Sequence, residues 1–482
     1  MKRLIEILLC LLLALASISC QEASQTNATK DTKISLDKKT TDEETQHILD
    51  KINEAGAYKI PDLELKKDEN YAGTSDEFEP FRHVKPYKEH FLEQLEYTGA
   101  GRAYPEPENV ETVKIGFIGP IESTVSVATG GKSHEEPLGR KMLKGCQLAI
   151  EQANAKGGYL KRNIPFELVV KNDNGLWGAS GNEIIDMAYK DKVWAILGTI
   201  DGANSHIAIR VALKAEVVMM NSGDTDPTFI ETNIPWVLRC IGDDRQQGYL
   251  LVDYIYKKLG FKKVGIIRAS NRYGRFGVRE IKDGSRRLAR PVPIEMAYAL
   301  GLEDFSLQLE RLKTENVEAI VHWGDAEDGA RILNQAREMG MEQSFFMCDR
   351  CLTDEFVEIA GKNAEGVVCA SSWNPDDKND RLTEFRAEFK KKFNEDIETF
   401  SAHAYDGMNL LIWAVQNGGL NRAKIRDMLA YRKQPWPGVT GNIVFGAALD
   451  DIGQVYLARY KDDEWVFYSR EDLEIPDRII SD

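Results

Sequence analysis

The chain has 482 residues, of which 43% are apolar and 29% charged, so it has room for about three units and a sizeable core. Its net charge of −15 argues against a nucleic-acid binder, which needs a basic face.

Lys2 and Arg3 precede an apolar run from Ile5 to Ala16 that is interrupted only by Glu6. That run is too short for a comfortable membrane span, so residues 1–20 read as a secretory signal. Small residues before Cys20 resemble the lipobox of bacterial lipoproteins, although Ser17 stands where Leu is usual. Cys20 is therefore the expected lipidation site, and the protein is expected to be periplasmic or on the cell surface. Residues 21–42 are rich in Ser, Thr, Lys and Asp and read as a flexible tether. Residues 43–111 hold Phe78, Phe81, Phe91, Leu92 and Leu95, too apolar for a linker. They are expected to pack on the main body.

From Val113 onward, short apolar runs alternate with helical patterns, which predicts βαβ units and parallel sheets. VKIGFIGP is a strand, followed by a polar loop from Ile121 to Pro137 and a helix over 138–155 that Gly157 and Gly158 end. Strand Pro165–Val170 and helix 179–190 follow. The stretch WAILGTIDGANSHIAIRVALKAEVVMMNSGDTDP then reads as strand, loop, helix from about Ser205, strand, loop. Both loops fall at carboxyl ends of strands, where open α/β sheets bind ligands. Gly198, Gly202 and Gly223 allow close backbone approach. Asn204 and Ser205 sit at the expected helix start, whose N–H groups and dipole suit a carboxylate, and Thr225 adds a hydroxyl. Ordinary turns and caps would use the same residue types.

A second set of strands and helices runs from Trp236 to Cys348, with helices expected over 245–259, 277–289, 305–314 and 327–339. Two doubly wound lobes explain two such sets better than one large sheet. After Gly366 come a crossing strand, GVVCASSW, helices near 381–393, 401–416 and 423–431, and antiparallel strands from GNIVFG and QVYLARY.

Seven cysteines are present, and Cys348-Asp349-Arg350-Cys351 is a lone C-x-x-C. No second pair or His ligand lies close in sequence, so a disulfide or two buried thiols is expected there rather than zinc. No G-x-S-x-G motif occurs and the histidines are scattered, so no catalytic residues are assigned and the chain is not read as an enzyme. No cofactor or metal is expected. A metal site from His322, Asp325, Asp349, Cys348 and Cys351 is the remote alternative.

The ordered set VKIGFIGP, LKGCQLAIEQANAKGG, NSGDTDPTF, LRCIGDDRQQG, SNRYGRFG and ILNQAREMGM resembles the substrate-binding proteins of branched-chain amino acid ABC transporters. The resemblance covers about Val113 to Tyr460. It implies α/β architecture with two doubly wound parallel-sheet lobes, the type I periplasmic-binding fold, joined by three hinge crossings. The crossings would fall near Cys240–Asp243, Ser371–Trp373 and Thr440–Asn442. Lobe 1 would take about 112–240 and 372–440, and lobe 2 about 243–370 and 441–470. The ligand's carboxylate would meet Asn204, Ser205, Gly223 and Thr225, with Asn204 standing where the family often has Ser. Tyr273 would stack or donate its hydroxyl, and Asp349 would take the ammonium. Asp325 replaces a frequent aromatic. Asp325 and Asp349, with Asp201, would favour a polar or cationic ligand, unless Asp325 pairs with Arg350 or Arg272. The implied function is capture of an amino acid, amide or amine outside the cytoplasm and delivery to an ABC permease, with a sensing receptor as the alternative.

Overall fold

The computed structural model describes residues 95–123, 134–174, 177–476 and 479. The signal segment, Cys20, the tether and the extension up to residue 94 lie outside the described residues.

The first sheet is parallel throughout, in the order β4-β1-β5-β6-β7. Its strands are β1 (Val113–Gly119), β4 (Phe166–Asn172), β5 (Ala195–Leu197), β6 (Val218–Asn221) and β7 (Val237–Arg239). The short pair β2 (Glu122–Ser123) and β3 (His134–Glu135) stands apart from it. The inner strands are continuously apolar because helices cover both faces. Those helices include α1 (Pro137–Ala155), α2 (Trp177–Ile185) and α3 (Gly202–Ala215).

The second lobe begins with α4 (Asp244–Asp253). Asp243 caps it by accepting from the Gln246 amide, and the Asp243 amide donates in turn to Gln246 Oε1. The sheet order is β16-β15-β12-β11-β10-β8-β9. The parallel strands are β8 (Val264–Ala269), β9 (Ile294–Tyr298), β10 (Ala319–Trp323), β11 (Ser344–Met347) and β12 (Val368–Ser371). Between them run α5 (Arg272–Arg287), α6 (Ser306–Glu315), α7 (Ala326–Glu338) and α8 (Asp354–Ala360).

From β12 the chain returns to the first lobe and forms α9 (Asp380–Phe393), α10 (Thr399–Gly418) and α11 (Arg422–Ala430). Helix α10 packs against α1, where a side chain at Gly145 would fall 2.2 Å from the Ser401 carbonyl oxygen. Strand β13 (Trp436–Pro437) pairs with β14 (Asn442–Ile443). The last two strands, β15 (Tyr456–Lys461) and β16 (Glu464–Tyr468), complete the second sheet as an antiparallel edge. GNIVFG therefore pairs with the Trp-Pro segment before it, not with QVYLARY. Residues 95–106 lie on the first lobe. Arg102 makes two bonds to the buried Asp427, at 2.5 and 3.0 Å, and the Tyr97 ring packs edge-on to Trp236.

Candidate ligand-binding cleft

In each sheet the chain reverses its direction of winding, at β1 in the first and at β8 in the second. The loops after β5, β6, β8, β10 and β11 all leave carboxyl ends of parallel strands and carry the candidate residues.

Helix α3 starts at Gly202, three residues earlier than the sequence suggests. Asn204 and Ser205 lie inside its first turn, and their amides donate to the Asp201 carbonyl at 3.0 and 2.9 Å. Their N–H groups are therefore not free for a carboxylate, which corrects the expectation for that corner. Their side chains are buried and engaged. Asn204 donates to Asp173 at 3.1 Å, and the Ser205 hydroxyl lies 2.7 Å from that of Thr199.

The glycines answer to packing. A side chain at Gly198 would meet the Ile118 carbonyl at 1.9 Å, and Gly198 has a φ of +142°. One at Gly223 would meet Met142 at 2.9 Å, and one at Gly202 would meet Asp226 at 2.6 Å. These contacts are within the protein and do not need a ligand to explain them.

Tyr273 lies in the first turn of α5, because the helix begins at Arg272 under an Asn271 cap. Its hydroxyl donates to Asp349 Oδ1 at 2.5 Å, and Gln247 approaches Asp349 Oδ2 at 3.4 Å. Asp349 is buried. Arg350 stacks over the Tyr273 ring at 3.8 Å. Asp325 does not join Asp349. Its carboxylate is half-exposed and pairs with Arg350 at 3.1 Å, and the same guanidinium reaches Asp201 at 3.2 Å. Two of the three acids expected to await a cation thus already share one from the protein.

The Arg350–Asp201 pair crosses from the second lobe to the first. So does Arg272, which donates to Asp226 Oδ2 and to Thr228 Oγ1, each at 2.7 Å. Arg245 and Glu231 make another such pair. The lobes are closed on one another along this edge. A separate cavity of about 740 Å³ opens at the hinge, lined by Gly242, Ser372, Thr440 and Asn442. None of the expected ligand residues borders it.

Two buried acids went unnoticed in the sequence. Asp224 is pushed up to about 7 by burial first and by Asp226 second, against the steadying Ser205 hydroxyl. Its Oδ2 makes no hydrogen bond of good geometry among the described residues. Asp244 is fully buried, and burial, then Asp349, hold its carboxyl well above the usual carboxylate range. Thr225 lies beside it and eases its charge, yet neither oxygen makes a well-formed hydrogen bond there. Thr225 also accepts the Asp244 amide through its carbonyl at 2.8 Å. The sequence signal was Asp243-Asp244 at a helix start, where only one of the two can cap.

A two-lobed α/β chain with its polar groups facing a closed interlobe cleft has the architecture of the two-lobed binding proteins. Residues 112–464 match the periplasmic binding protein family, and the chain belongs to that family. A relative named Leu/Ile/Val-binding protein homolog 2, from Brucella abortus, is 26% identical over 332 residues, covering 68% of this chain and 86% of its own. The leucine-binding protein LivK of Thermotoga maritima superposes with a TM-score of 0.65 at 25% identity, covering 74% of this chain and 98% of that one. The Streptococcus pneumoniae branched-chain amino acid transporter protein LivJ, solved with isoleucine, also gives 0.65, at 23% identity and with 74% and 99% coverage. These relatives are named as binding proteins, not enzymes.

Proposed function

We propose that the chain is the extracytoplasmic solute-binding component of an ABC transporter and that it captures an amino acid, amide or amine carrying a cationic or donor-rich end. One observation carries the choice of ligand. Asp224 Oδ2, both Asp244 oxygens and Gln247 Oε1 are buried acceptors that make no well-formed hydrogen bond among the described residues. They cluster about Thr225 and Asp349. Buried oxygens without donors are costly, at roughly 1–3 kcal/mol each, and an ammonium or amide N–H group removes that cost. An apolar side chain alone would leave them unmatched. The relatives named for leucine, isoleucine and valine support amino-acid capture, with the α-ammonium directed to Asp349 and Asp244. The hydroxyls of Ser205 and Thr225 stand beside Asp224 and Asp244 and share that end of the ligand. The captured compound passes to a membrane permease. Among the described residues no helix is long and apolar enough to cross a membrane. Lipidation at Cys20 would supply the anchor.

Thermal-shift screening of amino acids, amides and amines, followed by calorimetry, tests this reading, because a ligand of the native state raises the melting temperature. Asp349→Asn keeps the shape and removes the charge. Losing a charge-assisted bond of about 2–3 kcal/mol weakens binding about 30- to 150-fold. Thr225→Ala weakens it less. Hits confined to compounds lacking any amine or amide, indifferent to Asp349→Asn, would sink the proposal.

A further inference from the structure

The end of β10 and the turn after β11 bring three ligating groups together in the core of the second lobe. The parallel register sets His322 beside Met347, so Cys348 follows directly alongside, and its amide donates to the His322 carbonyl at 3.2 Å. A 3-10 turn over Asp349–Cys351 then folds Cys351 back toward them. Cys348 Sγ lies 3.9 Å from Cys351 Sγ, and Cys351 Sγ lies 3.5 Å from His322 Nδ1. The three donor atoms all fall within 4.8 Å of one another, and each residue is fully buried.

We propose that His322, Cys348 and Cys351 bind a thiolate-preferring divalent cation of the zinc class. Zinc–sulfur bonds near 2.3 Å and zinc–nitrogen bonds near 2.0–2.1 Å place tetrahedral ligands about 3.8 Å apart for S···S and about 3.6 Å for S···N. Two of the three pairs fall at those separations, and the third, Cys348 Sγ to His322 Nδ1, lies within 4.8 Å. Tyr298 Oη lies 3.0 Å from His322 Nε2, so with Nε2–H donated to the tyrosine the Nδ1 lone pair faces the sulfurs. The Gly324 carbonyl, 3.0 Å from Cys348 Sγ and 3.8 Å from Cys351 Sγ, is placed to complete the shell. Gly329 closes the remaining side, where a Cβ would fall 2.9 Å from both Cys351 Sγ and His322 Nδ1. Charge selects the ion. Two thiolates and a neutral imidazole balance a divalent cation and leave a neutral buried site. A monovalent copper ion would leave one negative charge there. On binding, the two thiol protons pass to solvent as the two metal–sulfur bonds form.

The turn between the two cysteines consists of Asp349 and Arg350, so a bound ion would pin the acid of the cleft and the arginine that spans it. Uptake of metal itself does not depend on what the cleft binds, so the two proposals fail separately.

The test is metal analysis of the full chain, produced with zinc and purified without chelator, together with titration of the reduced chain with Zn(II) or Co(II) alone. About one equivalent of zinc per chain is expected, and cobalt should give a thiolate charge-transfer band. Cys351→Ser and His322→Gln should weaken uptake by roughly 100-fold or more, whereas Cys369→Ser, equally buried, should leave it intact. Tyr298→Phe should weaken it about 10- to 100-fold without removing a ligand. Circular dichroism checks that each variant folds. If Cys351→Ser does not fold, X-ray absorption of the zinc-loaded parent chain decides by its count of sulfur and nitrogen neighbours. The proposal is overturned by a reduced chain that takes up neither metal, by uptake that survives Cys351→Ser, by absorption without two sulfurs, or by isolation with Cys348 and Cys351 joined as a disulfide. Preference for Cu(I) over Zn(II) in competition would overturn the choice of ion.

Discussion

Asp224→Asn should make the ligand-free protein more stable, and only above acid pH. The carboxyl titrates near 3.9 in an unfolded chain, and burial beside Asp226 pushes it up to about 7 in the fold. Between those values the folded chain holds a proton that the unfolded chain has released. Stability from this group is therefore fully present below about pH 4 and is lost as pH rises through 7. At 1.36 kcal/mol per unit, the loss amounts to about 4 kcal/mol at most. Asparagine cannot ionise, and its carbonyl can still accept the Asp226 amide that Asp224 Oδ1 holds at 3.0 Å. Urea unfolding of parent and variant at pH 4, 5.5, 7 and 8, without ligand, reads the difference. It should be near zero at pH 4 and grow to several kcal/mol by pH 8. Asp451 and Asp406 are also raised, mainly by burial, and slope the same way. They are common to both proteins and cancel in the comparison. A difference that stays flat across this range would show that Asp224 is solvated or paired in solution, and the acceptor argument for the cleft would lose its clearest member.

Arg272→Met should favour the open state. Asp226 is buried in the closed form, and Arg272 is its cross-lobe partner. Leaving it without its cation costs about 1–3 kcal/mol in the closed form alone, a shift of about five- to 150-fold toward open. Small-angle scattering of the ligand-free chain should then give a larger radius of gyration, and an unchanged radius would count against this latch. Gly198→Ala should lower stability by about 2–4 kcal/mol, since it combines a left-handed φ with a clash on the Ile118 carbonyl. A urea midpoint equal to that of the parent would show that the loop relaxes freely.

Much of the fold was legible because apolar runs and helical periods alternate so regularly. The errors have local physical causes. Gly202 in TIDGAN and Gly274 in NRYGRF looked like loop residues, yet both lie in first turns of helices. At Gly274 a side chain would sit 2.2 Å from the Ala269 carbonyl, so glycine is required by the close approach of α5 to its own strand. The cleft was less legible. The resemblance assigns Tyr273 and Asp349 separate roles toward a ligand, and their bond to each other was not foreseen, because it joins the start of α5 to the turn after β11. Whether Asp325 faced ligand or Arg350 was open, because the answer depends on a partner on the neighbouring strand's turn. His322 lies far before Cys348 in the chain, and only the parallel register brings them together.

The charges of the closed cleft can be set against one another residue by residue. Arg239, fully buried at the first crossing, is matched by Asp243 at 3.0 Å and Asp450 at 2.6 Å. Arg350 is matched by Asp201 and Asp325, and Arg272 by Asp226. Each arginine thus meets at least one acid, and two of them meet two. Asp349 has the Tyr273 hydroxyl and the Gln247 amide, which are neutral donors. Asp224 and Asp244 keep oxygens that make no well-formed hydrogen bond among the described residues, with only the neutral Ser205 and Thr225 hydroxyls beside them. A closed cleft without a guest therefore favours protonated acids, and burial raises both groups in that direction. A guest that brings positive charge removes the same penalty by pairing with the ionised forms. Closure around such a guest is stabilised twice, by the arginine links at the rim and by neutralisation inside. An anionic or wholly apolar guest would gain only the first.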